Sequence, residues 1–266
     1  MTFADKLGRK FIVTGEVEPE AAVSELFLKK AEKFRPYVDA LNVIDSPLGI
    51  PQLSSLVASY ILKQNGFEPV LQICARDRNK TAIINDLLGA KLLGINNVLA
   101  ITGDYPQDAK PVYEFDSVSL LRLIKREMPK RFKGFEMNVG AAYNPMAQPN
   151  EPEQIKLEKK LKYVDFIQTQ MTFDLDHLEN EVVRKNRKKI LVGIFPLAPG
   201  HVEYFNKNIP GISISQEVAK SVRTVDDGIR LANKLAHSVK ERGFGGIHLM
   251  LFGIEDRIGE ILEGIV

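Results

Sequence analysis

The chain has 266 residues, of which 44% are hydrophobic and 26% charged, so it is long enough for one large domain with a substantial core. Its 36 basic residues are nearly balanced by 34 acidic ones, and a net charge of +2 does not indicate a nucleic-acid-binding protein. The single cysteine, Cys74, excludes an internal disulfide and a cysteine-built zinc site, and it is typical of a reducing compartment.

Eight short apolar segments alternate with longer amphipathic ones. The strand candidates are FIVTGEVE (from Phe11), DALNVID (from Asp39), PVLQICA (from Pro69), NVLAITGD (from Asn97), FEMNVGAAY (from Phe135), DFIQTQMTF (from Asp165), KILVGIFPL (from Lys189) and GIHLMLFG (from Gly246). Intervening segments such as TAIINDLLGAKLLG have helical spacing and close on a glycine suited to a helix C-cap. This alternation predicts an α/β fold, a single (β/α)8 TIM barrel over residues 1–266. A doubly wound open sheet is the alternative, but the sequence has no G-x-G-x-x-G phosphate turn.

A barrel places the active site at the carboxyl ends of its strands, where side chains from several strands meet. In the first strand Thr14, Glu16 and Glu18 alternate with apolar residues and so share one face. Glu18, beside a proline, fits an exposed strand end. Glu16 lies one alternation deeper and is predicted to be enclosed, where a carboxyl can act as a general acid. Alternation likewise places Gln72 and Cys74 on one face of the third strand and Gln168 and Gln170 on one face of the sixth. It places His248, Met250 and Phe252 on one face of the eighth.

Asp104 follows the fourth strand directly, in the segment NVLAITGDYP. Alternation predicts that Thr102 and Asp104 face the site, and that Leu99 and Ile101 face the helices. A turn-capping aspartate would explain Asp104 without any chemistry. A carboxylate among converging polar groups is costly unless it is paired or used, which indicates a functional role.

Several other features have a structural explanation. Cys74 is predicted to be a small core residue, and His248, inside an apolar strand, a satisfied core histidine. The other histidines lack metal-ligand spacing, so no metal site is expected. The basic runs at residues 125–133 and 184–189 precede strands and so lie at the end of the barrel opposite the site. They are interpreted as solvated surface, and a surface that binds a partner protein is the alternative. Nucleic-acid binding is not expected. With no signal-peptide h-region and no segment that could span a bilayer, the chain is expected to be cytoplasmic.

These residues resemble the methylenetetrahydrofolate reductases, flavoproteins of (β/α)8 fold that make 5-methyltetrahydrofolate. The resemblance runs along almost the whole chain, and its specific signal is the order of short motifs on the predicted strand ends. The motifs are GEVEP, QICARDRN, NVLAITGDYP, GAAYNP, DFIQTQMTFD, VGIFPL, NIPGISI and GIHLMLFG. The resemblance implies a cytoplasmic oxidoreductase of one-carbon metabolism and methionine biosynthesis, and a homo-oligomer by family analogy.

The resemblance also implies roles for individual residues. Glu16 matches the family's general acid, which would protonate N10 of methylenetetrahydrofolate and open its bridging ring to an N5 iminium cation. Asp104 would stabilise that cation and influence the flavin, and Gln170 would hydrogen-bond the pterin. Hydride transfer from reduced flavin N5 would then convert the methylene carbon to a methyl group.

The implied cofactor is FAD, with FMN as an alternative. The positions that match flavin contacts in the family are Gln72, Thr102, Gly103, Asp104 and Tyr143, with one of Lys159 and Lys160 at the flavin phosphates. The glycine would let a ligand approach the backbone closely.

Departures from the family's pattern leave the electron donor open. Thr102 stands where some relatives have arginine, Gln72 where they have histidine, and Asn144 follows Tyr143 where they have proline. The donor is therefore expected to be NADH, NADPH or a protein, and one alternative is a partner-dependent subunit that does not itself oxidise NAD(P)H. A second alternative is a flavin-free pterin-binding barrel such as a methyltransferase. The same residues would serve tetrahydrofolate or a related pterin.

Overall fold

Eight parallel strands form a closed barrel in the computed structural model of the chain, which describes residues 1–19, 24–106, 109–209 and 211–265. The strands are β1 (Ile12–Val17), β2 (Ala40–Val43), β3 (Pro69–Cys74), β4 (Asn97–Ile101), β5 (Asn138–Tyr143), β6 (Phe166–Met171), β7 (Ile190–Ile194) and β8 (Gly246–Leu249). Each strand pairs with its neighbours in sequence and β8 closes on β1, so the predicted (β/α)8 barrel is confirmed. All carboxyl ends lie at one end of the barrel, which is called the mouth below.

The helices surround the strands. They are α1 (Phe3–Lys6), α2 (Ser24–Phe34), α3 (Ser55–Gln64), α4 (Lys80–Leu92), α5 (Ser117–Arg122), α6 (Met128–Arg131), α7 (Glu151–Leu161), α8 (Glu181–Asn186), α9 (His201–Asn208), α10 (Gln216–Ser221), α11 (Val225–Glu241) and α12 (Ile258–Ile261). The longest, α11, starts with a capping box between Thr224 and Asp227 and packs its apolar face on β7 and β8. Within the described ranges, none of these helices could span a bilayer.

The amino end of the barrel interior is apolar and closed. The short helix α1 inserts Phe3 beneath the strands, where its ring meets the edge of Phe166 with centroids 5.2 Å apart. This buried plug consists of Phe3, Ile12, Ala40, Val70, Leu99, Phe166 and Leu191. The buried polar side chains Thr14, Asn42, Gln168 and His248 lie nearer the mouth than this plug.

The predicted facing of β4 is wrong. Leu99 and Ile101 pack against the apolar plug inside the barrel, whereas Val98 and Ala100 belong to the core between strands and helices. The prediction assumed that the two-residue alternation continues through Asp104. The strand ends at Ile101, and Gly103 takes a left-handed φ of +91°. The direction in which Asp104 points therefore does not indicate which face of β4 Leu99 occupies.

A second apolar cluster lies beyond the strand ends. It combines residues at or after the ends of β5 to β8 with residues from α9 and from the segments on either side of α10. Its buried members are Met146, Met171, Phe173, Phe195, Leu197, Phe205, Ile212, Ile214, Val222 and Met250. These residues wall one side of the mouth with apolar and aromatic surface.

Candidate functional site

Glu16 lies near the end of β1 and contacts His248 of β8. The two atoms are Glu16 Oε2 and His248 Nε2, 3.2 Å apart, and the glutamate side chain is only 11% exposed. The contact follows from strand register, because Thr14 pairs with His248 and Glu16 lies one alternation nearer the mouth. The predicted enclosure of Glu16 therefore agrees with the structure.

His248 joins Glu16 to a buried polar layer. Its Nδ1 atom lies 2.9 Å from Thr14 Oγ1, and Gln168 Nε2 donates to that hydroxyl oxygen at 3.3 Å. Gln168 and Asn42 exchange a reciprocal pair of amide hydrogen bonds of 2.7 and 3.2 Å. The layer sits directly above the apolar plug, and its buried polar groups satisfy one another. Sequence reasoning identified His248 as a core residue and did not foresee its contact with Glu16.

Glu16 also borders a cleft at the mouth. The cleft has a volume of about 140 Å³ and is lined by Glu16, Val17, Glu18, Lys30, Phe34, Leu251, Phe252, Gly253 and Glu255. Glu18 lies further out, where its carboxylate accepts a hydrogen bond from Gln52. Glu16 is thus placed between solvent and the buried layer.

Gln170 lies at the end of β6, where pairing with β7 is irregular. The register shifts between Gln168 and Met171, and Thr169 Oγ1 accepts a hydrogen bond from the backbone N–H of Gly193 at 2.8 Å. Gln170 is half-buried, and its Oε1 accepts from Met171 N at 3.0 Å. Irregularities of this kind re-aim side chains beside functional sites. The bond to Met171 N fixes the orientation of the Gln170 carboxamide at the mouth.

Asp104 is exposed and ties two loops together. Its Oδ2 accepts a hydrogen bond from the backbone N–H of Leu48 at 2.9 Å, joining the loop after β4 to the loop after β2. The loops meet closely: a Cβ on Gly49 would collide with the Tyr105 carbonyl oxygen and lie 2.8 Å from Pro106 Cα. The carboxylate is therefore held at the rim by its bond to Leu48.

Three predicted flavin-contacting residues lie in β3 or directly after β4. Gln72 is buried on the inner face of β3, Thr102 is exposed, and Gly103 follows it. A Cβ on Gly103 would make a tight contact, 3.1 Å from Cys74 Sγ, and the positive φ favours glycine there. Burial raises the pKa of the Cys74 thiol, which fits the predicted core role.

Besides Asp104, the other positions predicted to contact the flavin are Tyr143 at the end of β5 and the two lysines of α7. Tyr143 is buried in the outer core, burial raises the pKa of its phenol, and its hydroxyl accepts from Asn180 Nδ2 at 3.4 Å. Lys160 is buried on α7 and donates to the Ala142 carbonyl at 2.8 Å, and burial lowers the pKa of its ammonium. Lys159 is exposed near the carboxyl end of α7. The choice between the two lysines stays a prediction.

A charged cluster after β3 was not singled out from the sequence. Arg78 Nη1 donates to Asp45 Oδ2 at 2.6 Å, and the same oxygen accepts from Cys74 N at 2.9 Å. Arg76 is 2% exposed and forms a bidentate pair with Asp77. Within the described residues, its buried Nη1 atom has no hydrogen-bond partner. The run ARDRN directly after a buried strand was the available signal, since such charges must find partners at the mouth.

No group of three or more histidine, cysteine, aspartate or glutamate side chains that could hold a metal ion occurs in the part of the chain that the structure describes. The carboxylates at the mouth instead contact histidine, amide and backbone donors. The arrangement offers an enclosed carboxyl, a rim carboxylate and amide groups around one opening. These groups can exchange protons and bind a polar heterocycle.

Comparisons with known proteins identify the family of this chain. The family described as "Methylenetetrahydrofolate reductase" matches residues 25–265, a range that begins after Glu16. A curated relative, "Probable methylenetetrahydrofolate reductase (NADPH)" of Caenorhabditis elegans, is 23% identical over 233 residues, which are 80% of this chain and 34% of the relative. The chain thus spans about a third of the length of the curated relative it matches.

Solved structures share the fold at low identity. An uncharacterized protein from Clostridium thermocellum that binds two copies of 5-methyl-5,6,7,8-tetrahydrofolic acid matches with a TM-score of 0.64 and 13% identity, covering 95% of this chain and 93% of that one. EDTA monooxygenase from Chelativorans sp. BNC1 matches with a TM-score of 0.61 and 9% identity, covering 96% and 93%. The extent of the family match decides the assignment. The chain belongs to the methylenetetrahydrofolate reductase family.

Proposed function

We propose that the protein reduces 5,10-methylenetetrahydrofolate to 5-methyltetrahydrofolate. Family membership and the fold shared with a 5-methyltetrahydrofolate-binding barrel support the substrate class. The observation that carries the proposal is the enclosed Glu16 at the mouth, held by His248 on one side and bordering a cleft on the other. An acid in this position fits the first chemical step, which needs a proton.

Glu16 is the general acid of the proposed reaction. Its proton goes to N10 of the substrate, the bond between N10 and the methylene carbon breaks, and N5 becomes an iminium cation. Enclosure of the carboxyl and its proximity to the cleft allow it to be reprotonated after each turnover. General acids positioned in this way contribute about 10²- to 10⁴-fold to a rate.

Asp104 and Gln170 act on the pterin. The exposed Asp104 carboxylate supplies negative charge at the rim, where it stabilises a cationic iminium more than the neutral substrate. The Gln170 carboxamide, oriented by Met171 N, is suited to the amide-like edge of a pterin. These two residues therefore bind and orient, and Glu16 transfers the proton.

The corner formed by β3 and β4 is where we place the flavin. Gln72, Thr102 and Gly103 lie there, and the buried Arg76 Nη1 is a donor that lacks an acceptor within the described residues. Such an unpaired donor costs about 1–3 kcal/mol, which a ligand acceptor would offset. Bound flavin, FAD or FMN, would supply the hydride that reduces the methylene carbon. NADH, NADPH or a protein donor would reduce it in turn.

Spectroscopy of the purified protein tests this proposal. Flavin added to the protein is expected to bind, to be bleached anaerobically by NADH or NADPH, and to be reoxidised by methylenetetrahydrofolate. Bleaching by dithionite but not by NAD(P)H, followed by reoxidation by the folate, would identify the partner-dependent alternative. Failure to bind either flavin while folate still binds would overturn the reductase proposal in favour of a flavin-free barrel such as a methyltransferase.

A further inference from the structure

The buried polar layer forms a chain of hydrogen bonds that ends on Glu16. Asn42 Nδ2 donates to Gln168 Oε1 at 2.7 Å, and Gln168 Nε2 donates to Thr14 Oγ1 at 3.3 Å. Thr14 Oγ1 lies 2.9 Å from His248 Nδ1, and His248 Nε2 lies 3.2 Å from Glu16 Oε2. All four layer residues are buried, so bulk water does not compete for these bonds.

The Asn42–Gln168 pair is reciprocal, and the Gln168 nitrogen that donates to Asn42 Oδ1 also donates to Thr14 Oγ1. An amide nitrogen can only donate, so Thr14 Oγ1 accepts from Gln168 and keeps its own hydrogen for another acceptor. Two acceptors are within reach, His248 Nδ1 at 2.9 Å and the Ile247 carbonyl oxygen at 3.4 Å, and His248 is the nearer. The same amide nitrogen lies 3.4 Å from His248 Nδ1, and an N–H on Nδ1 would point at another donor. The imidazole hydrogen is therefore favoured on Nε2, facing Glu16.

We infer that Asn42, Gln168 and Thr14 hold His248 as the neutral Nε2–H tautomer, so that it donates to Glu16 Oε2 and leaves Oε1 to carry the transferred proton. An oxygen that accepts the imidazole N–H is a poor place for a second hydrogen, and the other carboxyl oxygen takes it. His248 is thus a positioning residue that fixes where the acidic proton sits and which way it faces. The inference rests on the proposed role of Glu16, but the tautomer is a property of the chain alone.

Nitrogen NMR of the flavin-free protein tests the tautomer without any catalysis. The chain has four histidines, and the His248→Gln spectrum identifies the His248 signals by their loss. The expected pattern is a bare Nδ1 and a protonated Nε2, and Thr14→Val should weaken that preference. A protonated Nδ1, in either the neutral ring or the imidazolium, would overturn the inference.

A matched pair of variants tests the positioning role. In His248→Gln the amide nitrogen takes the place of Nε2 and can still donate to Glu16. The asparagine side chain of His248→Asn is too short to reach Glu16 and keeps only a polar group near Thr14. The Asn variant should lower the single-turnover rate of folate reduction about 10- to 100-fold more than the Gln variant, because a misplaced acid loses most of its effect. The Kd for the folate should stay within about threefold in both, as expected when an interaction acts in the transition state.

Equal losses in the two folded variants would show that His248 is merely structural and would overturn the positioning role. A wild-type protein that binds folate but never reduces it would instead refute the proposed function, and with it the placement of the proton on Oε1. The NMR result would still decide the tautomer in that case. The two failures are therefore distinguishable.

Discussion

The Oδ2 atom of Asp104 accepts a hydrogen bond from the backbone N–H of Leu48 at 2.9 Å, although the two residues follow different strands of the barrel. The bond combines a structural task, joining two loops, with a charge at the rim of the mouth. Substitutions can separate these two tasks, because an asparagine keeps an acceptor oxygen and loses the charge.

Asp104→Asn is expected to slow folate reduction about tenfold or more while changing the Kd for flavin by less than about threefold. The reason is that the charge acts on the cationic transition state and the retained oxygen still accepts from Leu48 N. Anaerobic single-turnover rates and flavin titrations measure the two effects. Weaker flavin binding with normal folate reduction would contradict the electrostatic role, and Asp104→Ala, which also breaks the loop bond, calibrates the structural part.

Gly49→Ala is expected to disturb the contact between the loops after β2 and β4. Its φ is +73° and an added Cβ would collide with the Tyr105 carbonyl, so the loops must separate. Gly8→Ala is the matched control, since Gly8 has a φ of +71° and its Cβ would meet nothing within 4 Å. Gly8→Ala should lose about 1–2 kcal/mol of unfolding free energy from backbone strain alone, and Gly49→Ala should lose more because of the added collision. Only Gly49→Ala should also weaken folate binding, and equal folate Kd values would contradict this account of the rim.

Phe3→Ala is expected to lower the unfolding free energy by about 3–5 kcal/mol, because it removes a fully buried ring from the plug beneath the barrel. Phe252→Ala, which truncates a side chain that is 51% exposed, should change the unfolding free energy by less than about 0.5 kcal/mol. Urea denaturation measures both. A small loss for Phe3→Ala would show that α1 does not seal the amino end.

Lys160 gives a pH dependence of stability whose sign is fixed by burial. Its pKa is lower in the folded protein than the ordinary 10.5, so between these two values the unfolded chain binds more protons. Wild-type stability should therefore rise, relative to Lys160→Met, as pH rises through the folded pKa towards 10.5. The exposed neighbour supplies the control, because Lys159→Met should show no such divergence from wild type. Parallel stability curves for wild type and Lys160→Met would contradict the effect of burial.

The sequence predicted the barrel well because strand and helix periods are local properties of the chain. Thr14 and Glu16 could be assigned to the interior from alternation within β1 alone. The partner of Glu16 could not be predicted in this way, since His248 is 232 residues away and only the closure of β8 on β1 brings it near. The predicted facing of Leu99 was wrong because the alternation was counted past the end of β4.

Two further features of the site depended on tertiary packing. The bond from Leu48 to Asp104 requires two loops to meet, which neither loop's sequence encodes alone. Tyr143 was matched to a flavin contact by the resemblance, and that contact stays a prediction. Its ring packs among the helices because it ends an outward-facing series with Val139 and Ala141, which counting alternation in β5 would have predicted.

The central claim is that Glu16 supplies the proton for folate reduction, and a single-turnover experiment tests it most directly. Flavin-loaded protein reduced with dithionite is mixed anaerobically with methylenetetrahydrofolate, and flavin reoxidation and 5-methyltetrahydrofolate are followed together. Glu16→Gln is expected to react about 100-fold or more slowly than wild type, with flavin binding and dithionite reduction unchanged. The exposed Glu158→Gln serves as the control and should match wild type. A Glu16→Gln protein that forms 5-methyltetrahydrofolate at the wild-type rate would contradict the claim.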